Sequence, residues 1–533
     1  MLVLGAAGLS VAAEAQTGVQ GINRDRPDQN PRRGVSRRPP AGFVLARNPD
    51  APITPFTLSV VRVEGSTLPP PDLEAAWRPF VGQTIDNAAL ARITDALAAV
   101  YARSDIALYT VLVPQQDFAS GALRLVAVEG YIAGVEIRGH LRRSRLPLLR
   151  TWLRRLESER PLRKATLQRT VSLIRDMPGF YPELNLQPGT AQGAVRLVMQ
   201  ASERPVQVAL GINNRGTALL GRTQAQADIF VNGLLGGGDQ LRATIALPAH
   251  VSRFQYYALS YATPLNADGT TLTVNGGYLR TRPAFLPLRG DATSFGLQAS
   301  HPLIRSFRRN LYVTLGLDGI DTNNVLLGTT LSNDRVRAVR AGLSYTIASD
   351  RNELTLSATG SLGLDIFGAR VTPGASDRRF TKLNLKATDD LQLGANFILR
   401  GEAFAQLTHS LLPASEQVAL GGDEFGRAYE AAIIAGDRGV AGSLELAFRP
   451  PHLPVWLAGS ELYTFGDAGH VWQRGRFGLP GGEQHLASVG GGARLQVRNR
   501  AIFQLEAVYG LNNPVFYEDR KKLRLLFSIR SLF

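Results

Sequence analysis

The chain has 533 residues, enough for two to four domains with a large core, and no cysteine, so disulfides and thiolate metal sites are excluded. Its formal charge of +15 rests on arginine, because only five lysines occur (Lys164, Lys382, Lys386, Lys521, Lys522). The arginines are scattered along strands and helices instead of being gathered on one recognition element, so nucleic-acid binding is not expected.

Residues 1–15 form a short apolar run ending in Ala13-Glu14-Ala15, a small-x-small cleavage pattern. This reads as the back half of a secretory signal peptide whose charged front is missing, which implies an upstream start. No other apolar run is long enough for a membrane-spanning helix. Residues 16–55, with "GINRDRPDQNPRRGVSRRPPAG", carry little to bury and read as an Arg/Pro-rich linker.

Two similar modules follow, at 56–130 and 131–204, each reading strand, helix, helix, strand, strand. The first opens with "FTLSVVRVEG"; one of its helices places Leu90, Ile93, Leu97 and Val100 on one face at helical spacing. The second opens with "GVEIRG". Its helices carry Leu146, Leu149, Trp152, Leu153 and Leu156, then Leu167, Val171 and Ile174. These stripes are read as core faces of small α/β modules, not as a cofactor box.

From residue 205 to 533 helical periodicity gives way to alternation of period two. About sixteen candidate strands can be counted, and the last shows the logic most plainly. Leu523, Leu525, Phe527, Ile529 and Phe533 share one face, while Arg524, Ser528 and Arg530 share the other. That pattern suits a wall with lipid on one side and water on the other. The fold class expected is therefore α+β followed by all-β: two small modules, then a 16-stranded antiparallel transmembrane β-barrel. A long glycine-rich, charged segment at 407–437 interrupts the alternation.

Several stretches carry a resemblance to a known family. "YARSDIALYTVLVPQQDFASGALRLVAVEGYI" and "MPGFYPELNLQPGTAQGAVRLVM" resemble the ends of the first and second POTRA domains of two-partner secretion transporters (TpsB). "NNRGTALLGRTQAQADIFVNGLLGGGDQL" is similar to the first barrel hairpin of that family. The chain thus looks like the haemolysin and filamentous-haemagglutinin exporter type (ShlB/FhaC/HecB-like), within the superfamily of the barrel-assembly protein BamA. Family members carry V-R-G-[FY] in the sixth surface loop, followed by G-D-x-G; here the sequence is "FGRAYE", then "GDRG". Arg427 and Tyr429 match, Gly426 replaces the valine, and Ala428 replaces the glycine. That last change puts the local backbone in question, because alanine resists positive φ. A second motif, [FG]-x-D-x-G on the thirteenth barrel strand, is present as Phe465, Asp467 and Gly469. The resemblance implies that the loop folds into the barrel and that Arg427 pairs with Asp467 as a loop–barrel lock. The bland alternative leaves Arg427 solvated in a surface loop. Phe533 is the C-terminal barrel signature. The family's plug helix is poorly matched by the arginine-rich segment, so none is claimed.

No catalytic, cofactor or metal site is expected. The seven histidines are scattered, and no G-x-S-x-G elbow, Walker loop or H-E-x-x-H occurs. The resemblance implies an outer-membrane channel of a Gram-negative bacterium with POTRA domains in the periplasm. It would recognise a large, unfolded secreted partner and translocate it by type V, two-partner secretion. Outer-membrane lipid and the cell's barrel-assembly machinery are the further partners implied, and the state is monomeric. The alternative is a barrel-assembly factor of the BamA type.

Overall fold

A computed structural model describes residues 53–498, 500–512 and 523–533. The signal-like run and the linker up to residue 52 lie outside the described residues. Two compact units are present, one containing both α/β modules and one containing the barrel.

In the first module, Val60–Glu64 pairs parallel with Ala122–Glu129, which pairs antiparallel with Tyr109–Leu112. A short extra pair, Phe56–Thr57 with Thr84–Ile85, splits the single opening strand that the sequence suggested. Two helices, α1 (Pro70–Trp77) and α2 (Asn87–Arg103), cover the sheet. Asp86 caps α2 by accepting the Ala89 N–H at 2.7 Å. Ile93, Leu97 and Tyr101 of α2 are fully buried, and Leu90 and Val100 pack beside them.

The second module repeats the plan with Tyr131–Gly139, α3 (Leu146–Glu157), α4 (Lys164–Arg175), Glu183–Pro188 and Ala194–Ala201. Leu149, Trp152, Leu153 and Leu156 of α3 and Leu167, Val171 and Ile174 of α4 form its core. The modules are fastened at Lys164. Its ammonium donates to the carbonyls of Tyr101 (3.2 Å), Ala102 (2.8 Å) and Ser104 (2.6 Å), satisfying the C-terminal end of α2. Burial pulls the Lys164 ammonium pKa below the usual lysine range.

The second unit is a closed antiparallel barrel of sixteen strands, from Val206–Asn213 to Leu523–Leu532. The first and last strands join over five residue pairs, Ala209 to Asn213 against Leu532 to Ser528. The Phe533 backbone adds to this seam by exchanging hydrogen bonds with Val208 in both directions (2.9 and 3.2 Å). Alternation sorts the side chains. Leu315 (59 %), Leu505 (60 %) and Leu525 (65 %) lie exposed on the outer face, while Arg340, Asp467 and Glu506 are buried on the inner one. Among the described residues, no helix is long and apolar enough to cross a membrane; here the crossing is made by strands.

Three strands run well beyond the length expected from sequence. The sixth, seventh and eighth (Leu288–Arg305, Arg309–Leu326, Thr329–Ala348) have 18, 18 and 20 residues. A membrane crossing takes about ten. Above that length both faces of a strand meet water, so the polar stretch "DTNNVLLGTTLSND" loses its alternation and reads as a loop although it pairs as a hairpin.

Candidate functional site

The segment 409–437 joins the eleventh strand (Phe397–Thr408) to the twelfth (Arg438–Phe448) and is folded against the inner wall. Its limbs form a small hairpin, Val418–Leu420 against Ile434–Gly436. Glycines on the wall make room for it. A Cβ on Gly469 would stand 2.4 Å from Leu420 Cδ1, and one on Gly439 would stand 2.7 Å from Val418 Cγ1. The thirteenth strand (Glu461–Gln473) supplies both Gly469 and Asp467.

Arg427 and Asp467 meet, though not as two paired side chains. The Asp467 carboxylate accepts the backbone N–H groups of Gly426 (2.9 Å) and Arg427 (3.3 Å) and the Ser488 hydroxyl (2.6 Å). The Arg427 guanidinium instead donates to Glu445 at 3.0 Å, lies 3.6 Å from Glu506, and stacks 4.1 Å from the centre of the Phe465 ring. The expected guanidinium–Asp467 pair is thus corrected. The carboxylate already has three donors, and two glutamates lie deeper along the direction in which the arginine extends.

The doubt raised by Ala428 is resolved by a shift of the special backbone position. Gly426 carries the positive φ of 78°, and Ala428 is not among the positive-φ residues. Ala428 is buried, and its carbonyl accepts from Arg524 at 3.0 Å. The Tyr429 hydroxyl sits 3.0 Å from the Ala487 carbonyl and 2.5 Å from that of Asn512. Gly510 gives it space, since a Cβ there would lie 2.9 Å from the hydroxyl oxygen.

The glutamates that receive Arg427 belong to a larger network. Arg494 grips Glu445 with two bonds (2.6 and 2.7 Å) and Glu461 with one (2.7 Å). Arg400 binds Glu461 through two bonds (2.8 and 2.9 Å) and Glu445 through one (2.9 Å). Arg215 bridges Glu506 on the wall to Asp423 on the segment. None of these partners was singled out from sequence. For some the signal was there: Glu445 and Glu506 are charges between apolar neighbours on a strand, in Leu444-Glu445-Leu446 and Leu505-Glu506-Ala507.

Two further anchors hold the limbs. Glu416 accepts from Arg340 at 2.9 and 3.2 Å and pairs with Lys382 at 3.0 Å, all three side chains being fully buried. Asp437, within the G-D-R-G run, is fully buried and accepts the N–H groups of Leu412 (2.8 Å) and Arg474 (2.9 Å) together with the Arg476 guanidinium (2.8 Å). Among the described residues, no group of His, Asp or Glu is arranged to hold a metal ion.

A closed sixteen-strand barrel that holds its own surface segment, in a chain with two small α/β modules, is the architecture of an outer-membrane protein transporter. The chain belongs to the family described as haemolysin secretion/activation protein ShlB/FhaC/HecB, whose model matches residues 192–495. The ShlB-type POTRA model matches residues 56–130. The heme/hemopexin transporter protein HuxB of Haemophilus influenzae (strain 86-028NP) is 20 % identical over 420 residues, 73 % of this chain and 71 % of that protein. The outer membrane transporter CdiB of Escherichia coli O6:K15:H31 (strain 536 / UPEC) is 24 % identical over 407 residues, 72 % of this chain and 67 % of that one. In fold, CdiB from Escherichia coli superposes with a TM-score of 0.72 at 20 % identity over 98 % of both chains. BamA from Haemophilus ducreyi lacking POTRA domains 1–3 gives 0.51 at 15 % identity, over 90 % of this chain and all of that one. This protein is thus a two-partner secretion transporter of the outer membrane, with POTRA domains in the periplasm and a secreted protein as its partner.

Proposed function

We propose that segment 409–437 is the gate of a protein-conducting channel, held shut by Arg427 and Asp467 and released when the secreted chain enters. The observation that carries this reading is the set of buried charges on the segment, each matched by a partner on the barrel wall or a neighbouring surface loop. A surface loop with no role inside the lumen has no need of Glu416, Arg427 and Asp437, since a buried charge costs several kcal/mol unless it is paired.

The POTRA modules would capture the unfolded partner by strand addition at a sheet edge. No nucleotide site is expected, so folding of the cargo outside would drive export. The barrel would work as a monomer, inserted by the cell's barrel-assembly machinery. Membership of the exporter family favours this reading over an assembly factor.

The absence of cysteine makes a clean test possible. Leu420 and Gly469 lie within bridging reach, so a Leu420→Cys/Gly469→Cys variant should form a disulfide that ties the segment to the wall. Export of the secreted partner should stop in the oxidised form and resume on reduction. Undiminished export with the bridge formed would show that the segment does not need to move.

A further inference from the structure

The outer wall carries charge at a level where a lipid-facing surface is normally losing its apolar character. On the fifth to eighth strands the outward positions are apolar over most of the crossing, with Val274 (49 %), Leu297 (46 %), Leu315 (59 %) and Leu343 (52 %) exposed. Continuing along the same faces toward the outside, alternation places Tyr278 and Arg280, Arg289 and Asp291, Asp321, and Arg335 and Arg337 on the outward side of the wall. A strand tilted by about 40° climbs about 2.5 Å per residue. Arg337 therefore stands about 28 Å above Ala348, and Arg280 about 23 Å above Thr271, at the top of an apolar band about 25 Å tall. The register keeps the charges together, Arg280 opposite Asp291 and Asp321 opposite Arg335.

The belt is built, not merely scattered. The Arg337 side chain lies across Gly319, where a Cβ would meet its Cδ at 3.0 Å, and its guanidinium is 5.1 Å from the Phe295 ring centre. It is 5 % exposed; one nitrogen donates to Asp321 (2.6 Å) and the Val336 carbonyl (2.9 Å), while its buried Nε has no partner. Arg335 is 3.6 Å from Asp321, and Arg280 and the Tyr278 hydroxyl reach Asp291 at 3.3 and 2.8 Å. Arg289 is exposed. Four arginines thus face two aspartates, which leaves an excess of positive charge on a wall that continues downward as leucine and valine.

We propose that this belt binds the phosphate groups of a phosphorylated glycolipid in the outer leaflet, with the acyl chains lying along the leucine and valine wall below. Guanidinium groups match phosphate oxygens in paired, charge-assisted hydrogen bonds. Such bonds strengthen at a membrane boundary, where water is scarcer. The site is independent of how cargo passes through the lumen.

The test uses the full chain in detergent, titrated with bisphosphorylated lipid A and with its dephosphorylated form, binding being read by native mass spectrometry. The wild type should prefer the bisphosphorylated lipid by at least about tenfold. An Arg280→Gln/Arg289→Gln/Arg335→Gln/Arg337→Gln variant should lose that preference while still migrating as a folded barrel in unheated gel samples. Since Arg337 is buried, the Arg289→Gln/Arg335→Gln double variant serves as the second test, with a partial loss expected. An unchanged preference in a folded variant overturns the proposal. So does displacement of the lipid by millimolar inorganic phosphate, which would reduce the belt to a free-anion site.

Discussion

At Arg427 the backbone and the side chain serve different partners, and this separation is open to measurement. A double-mutant cycle on thermal unfolding should give Arg427 and Glu445 a coupling of about 1 kcal/mol or more. Arg427 and Asp467 should couple more weakly, because the Asp467 bonds to the segment are to backbone N–H groups that survive substitution of the arginine side chain. Arg427→Ala should cripple secretion while the barrel remains inserted and heat-modifiable. Gly426→Ala should lower stability by about 1–3 kcal/mol, since the positive φ and the Leu486 Cδ1 at 2.6 Å both resist a Cβ. The motif residues Arg427, Tyr429, Phe465, Asp467 and Gly469 were legible in the sequence as a group that meets. Which oxygen the guanidinium reaches was not. Motif spacing gives strand and parity, whereas the choice among three nearby carboxylates depends on how many donors each already has.

At the scale of the element, the inward segment behaves as a hairpin pinned at several heights. Glu416 is the strongest test, because its carboxylate is enclosed by Arg340 and Lys382 with no exposure to solvent. Glu416→Gln should take the carboxylate charge from beside Lys382, while Arg340 keeps its pair with Asp318, and cost about 2–4 kcal/mol. In planar-bilayer recordings the same variant should open more often than the wild type, and an unchanged open probability would mean that this limb does not restrain the proposed gate. Helices and short barrel strands were readable from periodicity, since each has one face in a core or in lipid. The upper halves of the sixth to eighth strands were not, because period two appears only where the two faces meet different surroundings. The hairpin limbs Val418–Leu420 and Ile434–Gly436 were hidden for a related reason: three residues are too few to show a period.

At the scale of the whole molecule, the scattered arginines resolve into groups with distinct surroundings. Arg215, Arg340, Arg400, Arg427 and Arg494 line the lumen network, whereas Arg280 and Arg337 stand on the outer wall. A charge count along the chain cannot separate them; strand parity can. Within the first unit, Lys164 ties α4 to the end of α2, so Lys164→Met should loosen the two POTRA modules relative to each other. Limited proteolysis should then cut near residues 104–108 or 160–164 sooner than in the wild type, with both modules still folded.

The lumen network also depends on closure of the wall. Glu506 and Arg524, which hold the segment, lie on the fifteenth and sixteenth strands, beside the seam where the sheet closes on its first strand. Until those strands are in place, Arg427 lacks one carboxylate and Ala428 lacks its guanidinium donor. Full engagement of the segment therefore requires a complete wall, and a barrel lacking its last hairpin would hold the segment loosely.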